Sequence, residues 1–394
     1  MIPPLASYAP QFESTSEKNV LFAMDRHHVL PEAYLYGWAD IFAGSRFKGP
    51  YLFGKVYTQP EWFYFPIAFA VKSTLGFLIL LLAAVFALLR HGGKLRREFL
   101  FVLIPPAFYF LVAMGSRFNI GIRHVLPIFP FLIVFVGVVL GALIESDRRW
   151  LGAVALLLAL HIATSVHAFP NYVPYANEIW GGPNQAYKVL TNSNVDWGQQ
   201  LKDVRNYLGA HEHKACWFAY FGRLNVNPGY YKISCNAMPG GFTTLLGMPT
   251  GVMPAHLEGT VLVSATELSG ELWGTANLNP FAQFQQLRPD AIIDGGVMVY
   301  HGQFDLPLAS AISHELESSR LLQAGQSEQA LAEAQSAVQL APDDARTQIA
   351  LGDALTALKR NDEAHAAYQK ALITVQRVDP DFQDYLLPVL RRKL

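Results

Sequence analysis

The chain has 394 residues, of which 15% are charged and 52% are hydrophobic, with 30 basic and 31 acidic side chains and a formal net charge of −1. Globular proteins usually contain about 25% charged residues, so this composition argues against an ordinary soluble enzyme and against intrinsic disorder. Because the charges balance, the chain has no overall attraction to nucleic acid, and we expect no nucleic-acid partner.

Residues 1–65 form a first region that is rich in aromatic side chains. Twelve aromatic residues lie between positions 34 and 65, interrupted by glycines and prolines. Trp and Tyr favour the headgroup layer of a membrane, whereas Gly and Pro interrupt helices. The pattern predicts an irregular extracytoplasmic or interfacial segment on the outer membrane surface. A small soluble core is the alternative.

Residues 66–169 contain apolar runs at about 70–89, 99–116, 124–144 and 150–168. Each run is close to the roughly 20 residues that a transmembrane helix requires.

The loops between these runs predict their orientation. Basic residues cluster at 90–97 and at Arg148 and Arg149, and short loops rich in Lys and Arg face the cytoplasm. Four crossings then place both termini and the large C-terminal part outside the cytoplasm. Lys72 lies at the outer end of the first run, either as an interface anchor or as a charge that faces a ligand.

Residues 170–308 have the signals of an extracytoplasmic α/β domain. Short β-branched and aromatic stretches predict strands at 215–221, 259–265 and 291–300, and a helix is expected to begin with Asn194 or Asp196 as its N-cap. The two cysteines, Cys216 and Cys235, could form a disulfide in an oxidising compartment or remain separate buried thiols. Their pattern is weak support for zinc, and we expect neither a metal nor an organic cofactor.

Residues 309–394 change to an Ala-, Gln-, Leu- and Glu-rich composition that repeats. The recurring alanines are Ala330 and Ala337, followed 34 residues later by Ala364 and Ala371. This spacing is similar to that of tetratricopeptide repeats and predicts two units, 311–344 and 345–378, with a capping helix at 382–390. This segment could bind a peptide in a groove, or its helices could simply pack against the rest of the chain.

Candidate binding residues lie near the outer ends of the apolar runs, and phosphate-binding loops, nucleophile elbows and zinc-protease motifs are missing from the sequence. Arg123 and His124 begin the third run, where paired donors at headgroup level suit a phosphate. A plain membrane-edge anchor is the alternative. The other candidates for substrate binding are Asn119, Arg117, Lys72, Glu32, His28 and Glu178.

Four runs together carry a family resemblance. They are Leu-Pro-Glu-Ala-Tyr-Leu-Tyr-Gly at 30–37, Phe-Asn-Ile-Gly-Ile-Arg-His-Val-Leu-Pro at 118–127, Tyr-Ala-Asn-Glu at 175–178 and Ser-Asn-Val-Asp-Trp-Gly-Gln-Gln-Leu at 193–201. Over about residues 20–305 the chain resembles the C-terminal half of bacterial phospholipid-carrier-dependent (family 39) membrane glycosyltransferases, the relatives of protein O-mannosyltransferases, several of which end in tetratricopeptide repeats. Ala176 and the pair Gln199 and Gln200 depart from the family pattern.

The resemblance implies transfer of a sugar from a polyprenyl-phosphate carrier to an acceptor hydroxyl at the outer face of the bacterial inner membrane. Such a reaction needs a carboxylate base and cations that stabilise the departing phosphate. The family carries its base on a first outer loop that has no counterpart in this sequence. Catalytic residues are therefore unassigned, and we expect a truncated or split glycosyltransferase.

The expected fold is a multi-pass α-helical membrane protein with about four transmembrane helices, an extracytoplasmic α/β domain and a C-terminal helical repeat segment. The expected partners are the polyprenyl-phosphate-sugar lipid, the bilayer and a protein bound by the repeats. The alternative function is a non-catalytic, membrane-anchored tetratricopeptide scaffold for envelope proteins.

Overall fold

The computed structural model describes residues 5, 8, 15–44, 50–91, 96–116, 118–211, 215–274, 278–377 and 380–394. The chain is mostly helical and contains a small sheet. The helices before the sheet are α1 (Thr15–Arg26), α2 (Glu32–Gly44), α3 (Tyr64–Lys72), α4 (Leu75–His91), α5 (Arg96–Met114), α6 (Phe129–Ser146), α7 (Trp150–His167) and α8 (Leu201–Ala210). The later helices are α9 (Gly241–Leu245), α10 (Ala265–Ser269), α11 (Ala282–Gln285), α12 (Pro307–Gln323), α13 (Ser327–Leu340), α14 (Ala345–Ala357), α15 (Asn361–Val375) and α16 (Pro380–Lys393). The strands are β1 (Tyr51–Leu52), β2 (Lys55–Val56), β3 (Cys216–Ala219), β4 (Asn236–Ala237), β5 (His256–Ser264), β6 (Ala291–Ile293) and β7 (Val297–Asp305).

The aromatic segment near the N-terminus is more regular than predicted, because it contains helix α2. Leu35 and Ala39 are four residues apart and therefore lie on one face of α2, where they pack with Leu21 of α1 in a separate small core. After α2, β1 and β2 form an antiparallel hairpin with Phe53 and Gly54, both at positive φ, in its turn.

Two helical stretches are long and apolar enough to cross a membrane, Ile122–Ser146 with 25 residues and Trp150–His167 with 18. The first predicted span is broken, because α3 and α4 meet at an angle of 114° and count at most as one bent span. The apolar part of α5, Phe99–Met114, is shorter. The described residues therefore contain two or three candidate spans where the sequence predicted about four.

The break between α3 and α4 falls at two small polar residues. Ser73 has an extended backbone, and the Thr74 hydroxyl accepts a hydrogen bond from the Phe77 amide at 3.2 Å, which caps the first turn of α4. Helix α7 then packs closely on the start of α4. A Cβ added at Gly76 would lie 2.6 Å from the Leu157 carbonyl oxygen and 2.9 Å from the His161 amide nitrogen, so only glycine allows this approach.

The main sheet has five strands in the order β4-β3-β5-β7-β6. Strand β3 pairs in parallel with β4 and β5, whereas β7 pairs antiparallel with β5 and β6. The predicted strand at 291–300 is divided into β6 and β7 by a tight turn, in which Asp294 and Gly295 have φ values of 43° and 71°. A disulfide joins Cys216 at the start of β3 to Cys235, next to β4.

The apolar helices and the elements around the five-stranded sheet share one core. It contains Phe65 and Val71 of α3, Val125 of the 3-10 helix Ile122–Ile128, Met298 of β7 and residues of α12. Helices α12–α16 have a second core of their own, in which successive helices pack on each other. The shared core fixes the polar loops above α3 relative to the apolar helices.

Candidate functional site at the junction

The junction site is the place where α3 and the 3-10 helix at 122–128 meet the loop at 192–197. Asn194 is buried at its centre, with 1% of its surface exposed. Its side-chain oxygen accepts a hydrogen bond from the Ile122 amide at 2.9 Å, and its side-chain nitrogen donates to the Tyr64 hydroxyl at 2.9 Å. The Asn194 side chain thus links two elements that lie far apart in the sequence.

The run at 118–127 packs against this loop through short contacts. The Ser193 hydroxyl donates to the Ile120 carbonyl oxygen at 2.6 Å, and a Cβ on Gly121 would lie only 2.2 Å from the same hydroxyl oxygen. Asn119 is buried and accepts a hydrogen bond from the Glu61 amide at 3.0 Å. Asn119 is therefore a positioning residue between the run and the segment that leads into α3.

Arg123 and His124 lie at this contact but differ in their surroundings. Arg123 is exposed, and its guanidinium carbon lies 5.2 Å from the centroid of the Trp197 ring. Within the described ranges no carboxylate forms an ion pair with Arg123. The His124 ring packs edge-on against Phe65, and the His124 carbonyl oxygen accepts from the Tyr109 hydroxyl at 2.9 Å.

Lys72 lies on the other side of Asn194 and is held by backbone carbonyls. Its ammonium donates to the carbonyl oxygens of Val173 and Asn194 at 2.7 Å each, and to that of Tyr175. An ammonium has three N–H donors, so these bonds use all of them. Lys72 therefore contributes a positive charge to the junction but no further hydrogen-bond donor.

The run at 175–178 completes the junction. Asn177 is fully buried, and its side-chain nitrogen donates to the carbonyl oxygens of Ala70 at 2.6 Å and Ser73 at 2.9 Å, at the end of α3. Glu178 is exposed and lies beside a cavity of about 410 Å³. Three of the four runs that carry the family resemblance thus meet around the end of α3.

The remaining candidates lie elsewhere. His28 and Glu32 are exposed in the α1–α2 pair, which packs in its own small core, and no hydrogen bond within the described segments joins their side chains to the junction. Arg117 lies outside the described residues.

Two residues of the junction were not found from the sequence. Tyr64 was only one member of an aromatic stretch, and Glu271 lies in a Gly-rich loop with no motif. Asn192 is buried at a positive φ of 57°, and its side-chain nitrogen donates to a Glu271 carboxylate oxygen at 3.0 Å. The charges of Glu271 and Arg123 both act on the Tyr64 hydroxyl. The Glu271 carboxylate reaches the junction only through the fold, since it lies 79 positions from Asn192 in the sequence.

Two further carboxyl groups lie buried behind the junction. Asp196 accepts from the Gly198 amide at 2.9 Å, and Glu267 accepts from the Gly241 amide and the Trp273 indole at 3.0 and 3.2 Å. Burial raises the pKa of Asp196 to about 6 and that of Glu267 to about 7, although these hydrogen bonds oppose the shift. Both groups hold the loops that carry Trp197 and Glu271.

Comparison of the chain with known protein families, with curated proteins and with solved structures gave no match. In the part of the chain that the structure describes, no group of three or more His, Cys, Asp or Glu side chains could hold a metal ion. The functional interpretation therefore depends on the junction itself.

Proposed function

We propose that the chain is a bacterial inner-membrane glycosyltransferase, or a portion of one, which binds a polyprenyl-phosphate-sugar at the junction site on the outer face. One observation carries the proposal. Three runs that resemble such enzymes meet where an exposed guanidinium, that of Arg123, has no carboxylate partner among the described residues. A planar guanidinium that is not neutralised suits a phosphate ester.

The surfaces of the apolar helices support insertion into a bilayer. None of the side chains of α7 is buried, although the helix is apolar along its length. The most exposed apolar side chains of the neighbouring helices include Leu82 at 68%, Phe101 at 76% and Phe108 at 68%. Exposed apolar area on this scale indicates a membrane or another apolar partner.

The geometry gives each junction residue a task in this proposal. Arg123 binds phosphate oxygens, and the Trp197 ring supports the guanidinium from one side. Glu271 is the carboxylate that the fold places near Tyr64, which makes it the first candidate for the proton acceptor that sugar transfer requires. Helices α12–α15 are consistent with the proposed tetratricopeptide-like repeats, because successive helices pack together.

The test is a titration of polyprenyl phosphate against the full chain in nanodiscs. Lys cannot reproduce the two-pronged contact of Arg, so Arg123→Lys should lose about 1 to 3 kcal/mol of binding free energy. Arg205→Lys, on the exposed face of α8, is the matched control and should bind like the wild type. Equal affinities of wild type and Arg123→Lys would contradict the proposal and favour the non-catalytic scaffold.

A further inference from the structure

A cavity of about 330 Å³ lies at the break between α3 and α4, outside the contacts that Arg123 makes. This volume is at the lower end of the range of small-molecule sites, about 300 to 1,000 Å³. Its polar lining comes from the break, from α7 and from the loop that contains Tyr175, and its apolar lining comes from α4, α6 and the 3-10 helix Ile122–Ile128. The polar residues of the lining that matter below are Lys72, Ser73, Thr74, His161 and Tyr175.

Two hydroxyl groups in the cavity wall are buried without a hydrogen-bond partner. They are the side-chain oxygens of Ser73 and Tyr175, and Ser73 as a whole is only 3% exposed. Leaving a buried polar group without a partner costs about 1 to 3 kcal/mol, and both of these groups line the same cavity. A bound ligand with oxygen atoms would satisfy both.

Two positive features beside the cavity favour a negatively charged ligand, and the nearest opposing charge is that of Glu178, which acts on the Tyr175 hydroxyl. The Lys72 ammonium is satisfied by three carbonyls, but no carboxylate neutralises it within the described ranges. The 17-residue helix α4 also begins at the cavity, and a helix N-terminus carries a partial positive charge. Thr74 and His161 form a hydrogen-bonded pair of 2.6 Å in the same wall.

The opposite wall of the cavity is apolar. Phe77 and Phe129 line it, and their rings lie 5.9 Å apart. Leu126 and Ile133 continue it towards the outer surface of the apolar helices, where they are 53% and 58% exposed. An apolar chain would therefore lie along α6 while a polar head lies at the break.

We propose that this cavity is a second site, which binds a single-chain lipid that ends in an oxyanion, with the head at Ser73 and Tyr175 and the chain against Phe129. The site borders the junction through Lys72 and Tyr175 but goes beyond the proposed function, because its ligand is held at Ser73 and Tyr175 and contacts neither Arg123 nor Trp197. The Lys72 charge attracts the head through space, and the two hydroxyl groups supply the direct hydrogen bonds.

The experiment measures equilibrium binding of radiolabelled decanoate to the full chain in nanodiscs, with empty nanodiscs subtracted. The double variant Ser73→Ala/Tyr175→Phe should bind decanoate at least ten-fold more weakly than the wild type. Its stability should be unchanged or higher, because no hydrogen bond of the protein is lost. The single variant Tyr175→Phe, which removes one oxygen atom, should show a smaller loss.

The matched control is Ser146→Ala/Tyr230→Phe, which removes the same atoms from exposed positions and should bind like the wild type. Acetate should bind at least ten-fold more weakly than decanoate because it lacks the chain, and decanol should bind more weakly because it lacks the charge. Equal decanoate affinity of the wild type and the double variant would overturn the site, and equal affinity for decanol would overturn the oxyanion assignment. Arg123→Lys should leave decanoate binding unchanged, so this result is separate from the test of the junction.

Discussion

Two partly buried cations in this molecule, Arg346 and Lys72, are stabilised in different ways. Arg346 at the start of α14 pairs with the buried carboxylate of Asp344, with 2.9 Å between Nε and Oδ1, and lies over the Trp273 ring at 5.6 Å. Lys72 at the end of α3 is bonded only to backbone carbonyls. The first charge is neutralised within the protein, whereas the second is hydrogen-bonded but not neutralised.

The difference shows that hydrogen bonding and charge neutralisation are separate requirements of a buried ion. Around Arg346 both requirements are met, because Asp344 supplies hydrogen bonds and a negative charge. The pKa of Glu315 is raised to about 7, mainly by burial, with Asp344 and Asp353 adding to the shift and Arg346 opposing it. Around Lys72 only the hydrogen-bonding requirement is met, and the charge is not neutralised, so we place a ligand oxyanion there. For Arg346 we infer only a structural role.

Removing the negative partner of Arg346 should have the largest effect. Asp344→Asn keeps an oxygen that can accept from the Arg346 amide at the start of α14, but removes the carboxylate that is paired with the guanidinium. We expect α14 to lose about 3 to 5 kcal/mol of opening free energy, measured by amide hydrogen exchange. The exposed neighbour provides the control, since Asp343→Asn should leave exchange in α14 as in the wild type.

The buried carboxyl groups of Asp196 and Glu267 allow the same comparison for negative charges. Since the folded-state pKa values of Asp196 and Glu267 are raised to about 6 and about 7, the stability that depends on their protonated forms is fully present below about pH 4 and is lost as pH rises through these values. Each carboxyl should account for on the order of 3 kcal/mol.

Hydrogen exchange of the β5 amides at several pH values between 5 and 8 checks this effect. Asp196→Asn should flatten the dependence on pH, whereas Glu258→Gln, at an exposed position of the same strand, should keep it. An increase in stability over this interval would show that the two carboxyls are not protonated in the folded protein.

Lys72→Met should have the smallest effect on stability. The substitution leaves three carbonyls without their donor but also removes the uncompensated charge, so we expect a loss of about 1 to 3 kcal/mol, well below that of Asp344→Asn. Lys202→Met, on the exposed face of α8, is the control for thermal unfolding in nanodiscs. If Lys72→Met cost as much as Asp344→Asn, the two cations would not differ in the way described.

Between residues 170 and 308, local sequence signals predicted three strands and one helix, but neither β4 and the short helices α9, α10 and α11 nor the exact boundaries. The strand signal at 291–300 could not show the turn at Asp294, because Gly at the next position can also lie within a strand. The helix expected from Asn194 or Asp196 begins at Leu201 instead. The backbone and side chain of Asp196 are engaged by Thr266, which is 70 residues away.

The residues of the candidate site could also be predicted only in part from the sequence. The sequence singled out Arg123, Asn119 and Lys72 because their types and positions are unusual beside apolar runs, and the fold places all three around the end of α3. It could not find Glu271, whose contact with Asn192 spans 79 positions. It also could not place the break at Ser73, since neither Gly nor Pro marks it.

The 114° angle between α3 and α4 has a mechanical consequence if α4 inserts as proposed. Buried side chains of α3, such as Phe65 and Val71, are part of the core of the sheet, whereas α4 lies among the apolar helices. Helices respond to a change in bilayer thickness by tilting. Because α4 has 17 residues and α3 has 9, a tilt of the longer helix would turn the shorter one against the sheet. A change in membrane thickness would then shift the position of α3 relative to Asn194 and the loops around it.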